Sequence, residues 1–253
     1  MKKILFSVLS LFMVSVSSFA QDANTGDFNI GITVGGGLAK INADDSAIPG
    51  VTNERKPIAN IQGGLTFDYT FVNGFFTELG LTFQRKGGKQ EIETKSYKST
   101  VTTNLYYMEL PLTLNFRIPI GDLGLIPQAG AYVAYGVGGK TKTTTEYNFS
   151  DAANVLGELT GDDLSDYDSS VKVYTDASSL NKKTEEKEAD SFGDDAADKL
   201  DYGLRFGLGL AFTEKVKLAF GYDLGLVDIV RGDNNNFKNR NGVLFGTLTF
   251  YIK

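Results

Sequence analysis

Seven charged residues fall on the polar side of strictly alternating segments: Asp68, Glu78, Glu109, Arg117, Arg205, Lys217 and Asp223. Paired carboxylates among them could do general acid–base work, but only beside a substrate cleft that perturbs them. Nothing in the sequence marks such a cleft. Turned into a shared interior, the same groups must pair or stay hydrated, because an isolated buried charge is costly. That reading makes them a salt-bridge network filling a lumen and fixing register. A narrow or gated ion path lined by the same groups is the functional alternative.

The chain has 253 residues and contains no His, Cys or Trp. This excludes Ser-His-Asp and Cys-His nucleophiles, thiolate chemistry, disulfides and His- or Cys-based metal sites. Two other constellations are weaker. Sixteen acids and seven lysines lie between Lys140 and Asp201. Asp162, Asp163, Asp166 and Asp168, or Asp194, Asp195 and Asp198, supply oxygen ligands for calcium, but the D-x-D-x-D-G frame is missing. A solvated charge run is the simpler reading. The glycines of Gly35-Gly36-Gly37 and of Gly136, Gly138 and Gly139 open no helix and are not phosphate loops. No cofactor, no metal and no catalytic residue is expected.

The elements that carry these residues alternate with period two. Phe28, Ile30, Ile32 and Val34 oppose Asn29, Gly31, Thr33 and Gly35. Leu65, Phe67, Tyr69 and Phe71 oppose Gly64, Thr66, Asp68 and Thr70, and Phe75, Leu79, Leu81 and Phe83 oppose Glu78, Gly80, Thr82 and Gln84. The clearest segment sets Tyr106, Met108, Leu110, Leu112, Leu114 and Phe116 against Tyr107, Glu109, Pro111, Thr113, Asn115 and Arg117. Four more begin near Leu125, Gly203, Val216 and Leu244. Each segment suits a tilted strand crossing a membrane.

The connections alternate between long (39–58, 87–103, 138–201, 228–241) and short (72–74, 118–123, 213–215). Long outer loops with tight periplasmic turns are expected of a bacterial outer-membrane barrel. With the turns in the periplasm, Phe28, Tyr69, Phe71, Phe75, Phe116, Phe212 and Phe250 ring one rim, and Phe83, Tyr106, Tyr135 and Tyr202 the other. Such girdles mark the two membrane interfaces. A soluble lipid-binding calyx is disfavoured, since it needs its apolar face inside. Pro111 stands mid-strand without an N–H, so a bulge or weakened ladder is expected there.

Residues 1–20 read as a secretory signal: Lys2 and Lys3, an apolar run from Ile4 to Val16, then Ser18-Phe19-Ala20 before Gln21. Losing Lys2 and Lys3 takes the formal charge from −6 to −8. An acidic chain has no electrostatic reason to bind nucleic acid. Residues 21–253 then form one barrel domain, with 138–201 a long acidic extracellular loop. Within it, 151–164 and 181–200 are expected to form short helices, and Lys182 to Lys187 to be solvated.

At several of these residues the chain resembles the PorT-type outer-membrane β-barrel family of Bacteroidota. Tyr107-Met108-Glu109-Leu110-Pro111-Leu112 is similar to that family's Y-L-E-I-P-L strand, and Pro127-Gln128-Ala129-Gly130-Ala131-Tyr132 to its next strand. Phe76-x-Glu78-Leu79, Asp201-Tyr202-Gly203-Leu204 and Tyr222-x-x-Gly225-Leu226 resemble further strands. The resemblance implies an outer-membrane barrel, with one named member tied to a secretion and gliding apparatus. The chain departs from the pattern in its large acidic loop and in ending on Tyr251-Ile252-Lys253.

The expectation is therefore an all-β, eight-stranded antiparallel up-and-down transmembrane barrel, located in the outer membrane. Its lumen is filled, and its role is structural or surface-interacting. A small pore or an accessory to protein secretion is the alternative. Expected partners are outer-membrane lipid and lipopolysaccharide, the barrel assembly machinery, and a secretion-system or surface partner at the long loops.

Overall fold

The computed structural model describes residues 28–43, 51–72, 74–94, 97–148, 182–192, 197–229 and 239–252. The signal segment lies outside them. Among the described residues eleven strands are present: β1 (Phe28–Ala43), β2 (Thr52–Lys56), β3 (Ile58–Val72), β4 (Phe75–Glu93), β5 (Tyr97–Phe116), β6 (Ile118–Ile120), β7 (Leu123–Asn148), β8 (Lys182–Asp190), β9 (Leu200–Ala211), β10 (Val216–Gly225) and β11 (Asn239–Ile252).

Eight of these close on themselves in the order β1-β3-β4-β5-β7-β9-β10-β11, with β11 pairing back to β1. Every pairing is antiparallel. Closure satisfies the backbone of each ring strand within the sheet, which lipid demands because it offers no hydrogen bonds. Three short strands hang on the ring: β2 on β4, β6 on β7 and β8 on β7.

The period-two pattern decides which way side chains point. Among the described residues nineteen polar or charged residues are buried, while thirty-six large hydrophobic residues are exposed. At roughly 1 kcal/mol for each half-exposed side chain, that surface in water would cost tens of kcal/mol. A whole fold is worth only about 5–15 kcal/mol. The solvent around the outer face is therefore lipid. Phe75 and Phe116 meet at 4.3 Å at the turn end, and Phe83 stacks on Tyr106 at 5.8 Å toward the loop end. These pairs belong to the two aromatic rims, separated by an aliphatic band.

Pro111 weakens the ladder without shifting it. Leu79 pairs with Leu112 and Thr82 with Glu109, but no pairing joins β4 to β5 between them. The register is the same on both sides of the gap, so there is no bulge. Gly80 lies opposite, and a Cβ there would stand 2.7 Å from Pro111 Cγ. The proline ring occupies the space that a side chain on β4 would fill.

The strands run further than the alternation suggested. β4 continues to Glu93 and β5 begins at Tyr97, so most of the expected loop 87–103 is a hairpin. β7 continues to Asn148 and pairs with β8 from Lys140↔Asp190 to Asn148↔Lys182. The short helix expected within 181–200 is thus corrected: Lys182–Asp190 is a strand. Its alternation of Lys and Glu carries no apolar stripe, because both faces of this extension meet water. The ladder of β7, not a buried face, holds it. From Tyr135 to Asn148 β7 rises about 40 Å along its own axis at ~3.3 Å per residue. The helix expected at 151–164 lies outside the described residues.

Candidate functional site

The loop-end half of the lumen is crossed by a chain of five charges. Lys86 on β4 lies 3.0 Å from Asp201 Oδ2 and 2.7 Å from Glu109 Oε2. The other oxygen of Glu109 accepts from Arg205 Nη2 at 2.8 Å. Arg205 holds Asp223 by two bonds, Nε to Oδ1 at 2.6 Å and Nη2 to Oδ2 at 2.7 Å. The chain therefore bridges β4 and β5 to β9 and β10 across the bore. Lys86, Glu109 and Asp201 are fully buried, and Asp223 is 1% exposed.

Aromatic faces complete the seats of the two cations. Lys86 Nζ lies 3.9 Å from the Tyr132 ring centre and 5.4 Å from that of Tyr107. The Arg205 guanidinium lies 4.6 Å from the Phe245 ring. A ring's negative face stabilises a desolvated cation. Asn241 donates to Asp201 Oδ2 at 3.1 Å. Three carboxylates and two cations leave the group one negative charge if all are ionised. Inside a low-dielectric bore such a network persists only because nearly every member is engaged.

A second cluster sits toward the turn end. Lys217 pairs with Glu78, and its ammonium lies 5.6 Å from the Tyr251 ring. Asp68 is buried beside it. Between the clusters, Thr33 hydrogen-bonds Thr66 at 2.6 Å and Thr249 at 2.8 Å. The free space next to Glu78 and Arg205 is about 30 Å³. That is room for about two or three water molecules and for no substrate.

Of the seven sequence candidates, Asp68, Glu78, Glu109, Arg205, Lys217 and Asp223 line the interior, in two separate clusters. Arg117 stands at the open end of the second cluster and outside its ion pair. β5 ends at Phe116, and the Arg117 N–H bonds to the Gly74 carbonyl in the turn. Its exposed side chain lines a cavity of about 190 Å³ that opens at the turn end, with Asp68, Glu214, Lys217 and Tyr251. Two central members were missed, Lys86 and Asp201. Both continue an inward parity already visible: Lys86 follows Glu78, Thr82 and Gln84, and Asp201 precedes Gly203 and Arg205.

No group of three or more acids among the described residues is arranged to hold a metal ion. Asp162, Asp163, Asp166, Asp168, Asp194 and Asp195 lie outside the described residues. The closed antiparallel ring agrees with a known sequence family. A family model for the outer membrane protein beta-barrel domain matches residues 19–231. The chain belongs to that family.

This outer-membrane barrel is similar, distantly, to solved bacterial structures. Ail, the attachment invasion locus protein of Yersinia pestis, is 13% identical over 89% of this chain and 99% of that one, with a TM-score of 0.35. Neisserial surface protein A is 11% identical over 87% and 96%, with a TM-score of 0.34. OprG from Pseudomonas aeruginosa is 14% identical over 87% and 93%, with a TM-score of 0.33. No curated protein matches. The architecture of this barrel rests on its own strand pairings, and its place in the outer membrane on the family together with the lipid-facing surface.

Proposed function

We propose that this barrel acts at its outer face and not through its bore, as a structural or surface-interacting protein without enzymatic activity. The carrying observation is the ion-paired chain from Asp201 through Lys86, Glu109 and Arg205 to Asp223, which fills the lumen. An ion entering would have to displace pairs that are buried and desolvated, which is costly. Residues 1–20 export the chain, and the turn end faces the periplasm. The paired extension of β4, β5, β7 and β8 then stands outside the cell.

Planar bilayers test this reading. The purified protein should show no steady conductance, and reproducible open channels would overturn the filled lumen and favour the pore.

A second reading, an accessory to protein secretion, draws on the PorT-type resemblance and on one feature. β8 pairs only with β7 among the described residues, so its outer edge offers backbone groups to a partner strand. Co-purification from native outer membrane separates the two. A stable stoichiometric partner supports the secretion role, and its absence supports a stand-alone barrel.

A further inference from the structure

The lipid-facing side of the loop-end rim carries a group of donors on three adjacent strands, β1, β11 and β10. β1 and β11 pair through Leu38↔Leu244, Lys40↔Gly242 and Asn42↔Arg240. Leu38 and Leu244 point outward and are half exposed. Alternation places Lys40, Gly242, Asn42 and Arg240 on the same face, one or two steps beyond the last leucines. Tyr222 of β10 pairs with Leu244 and also faces out.

Two of these side chains, Tyr222 and Asn42, converge on one glycine. A Cβ on Gly242 would lie 2.3 Å from the Tyr222 hydroxyl and 2.7 Å from Asn42 Nδ2. Any larger residue would push the phenol and the amide apart. Arg240 Nε is buried and has no hydrogen-bond partner. Lys40 and Arg240 make no ion pair among the described residues. Neither 28–43 nor 239–252 contains an Asp or Glu; Asp223 of β10 points inward to Arg205, and Asp228 beyond it accepts from the Asn239 N–H, next to Arg240. The outer face of three adjacent strands therefore presents an ammonium, a guanidinium, an amide and a phenol, where the apolar band ends on β1 and β11 and continues on the β10 side through Leu224 and Leu226.

Such a set fits a phosphate: Arg and Lys pair with its charge, and neutral donors satisfy its remaining oxygens. We propose that Lys40, Asn42, Tyr222 and Arg240 bind a phosphate group of an outer-leaflet glycolipid whose acyl chains lie against Leu38 and Leu244. Free inorganic phosphate offers the same head chemistry without the chains. The leaflet assignment rests on the orientation proposed above, with the loops outside.

Native mass spectrometry of the detergent-purified barrel tests the site, with lipid A, dephosphorylated lipid A and inorganic phosphate as probes. Lipid A should be retained about tenfold more than its dephosphorylated form, the factor expected from losing one charge-assisted contact. Lys40→Gln with Arg240→Gln should remove that preference while heat-modifiable mobility stays native. Gly242→Ala should weaken it without any change of charge. Lys215→Gln, at the opposite end, should leave it intact. Equal retention of both lipids, or full retention by the double variant, overturns the site. Inorganic phosphate displacing lipid A completely overturns the lipid and leaves a simple anion. Trypsin cleavage after Lys187 on intact cells reads the orientation separately, so a wrong leaflet is not mistaken for a missing site.

Discussion

Arg205 and Asp223 stand directly opposite each other on β9 and β10 and close a two-point ion pair inside the bore. Arg205 also carries Glu109 at 2.8 Å, so one guanidinium serves two carboxylates. Arg205→Ala therefore strands Asp223 in a buried place and leaves Glu109 with Lys86 alone. We expect a loss of about 3–5 kcal/mol, the usual cost of breaking a buried pair from one side. Arg205→Met combined with Asp223→Leu should cost less than Arg205→Ala alone, because the desolvated acid goes with its partner. Urea unfolding in lipid vesicles measures both. Equal losses for the two variants would mean that the pair is hydrated and contributes little.

The arrangement of the ring was legible because one solvent, lipid, selects one face. Phe83, Met108, Leu204 and Leu244 all obey that selection, and their opposite neighbours carry the charges. Asp201, between outward Leu200 and Tyr202, and Lys86 were readable by the same parity, but Lys86 lies where the apolar partners thin out, beside Arg85. The alternation fades there because the membrane ends, while the bore continues. β8 was not legible at all. Thr184 to Asp190 faces water on both sides, so no hydrophobic period exists, and only the ladder to β7 makes this segment a strand. Arg117 lies past the end of β5 at Phe116, and its side chain faces the open turn-end cavity beside Asp68 and Lys217.

The gap in the β4–β5 ladder gives a paired prediction. A Cβ at residue 80 would meet Pro111 Cγ at 2.7 Å, so Gly80→Ala should destabilise the barrel by about 1–3 kcal/mol, as overpacking does. Pro111→Ala removes the obstructing ring and restores a backbone N–H. In that background Gly80→Ala should be close to neutral. The coupling in this double-mutant cycle is the readout. Additive effects would show that Gly80 and Pro111 do not share the space.

Leu208 sits on the outer face of β9 between Tyr202 and Phe212 and is 48% exposed. On a soluble barrel Leu208→Arg would change little. In a bilayer a cation on the lipid face near mid-depth costs about 2–4 kcal/mol and less toward the rims. Tyr202→Arg, at the rim, should therefore cost clearly less than Leu208→Arg. Refolding into vesicles at graded urea measures the two. A Leu208→Arg variant as stable as the parent would contradict the lipid-facing band.

Glu91 lies on the extension beyond the aromatic rim, where Lys56 at 2.5 Å and Lys89 at 2.7 Å converge on its carboxylate. Lys56 first, then Lys89, pulls its pKa down from 4.5 to about 2. A depressed carboxyl stabilises the fold fully above its unfolded value and loses that contribution as pH falls toward the folded one. The hold of β2 on β4 should thus be intact above about pH 4.5 and weaken between there and about pH 2. The group is exposed, so the effect is local and screened by salt. A side-chain NMR titration should place the Glu91 midpoint near 2 in the parent and move it back toward the ordinary carboxylate range in Lys56→Met. Limited proteolysis near pH 3 should also cut more readily at 52–56 than it does near neutrality. A Glu91 midpoint that Lys56→Met leaves unmoved would show that the two strands are joined by their ladder alone.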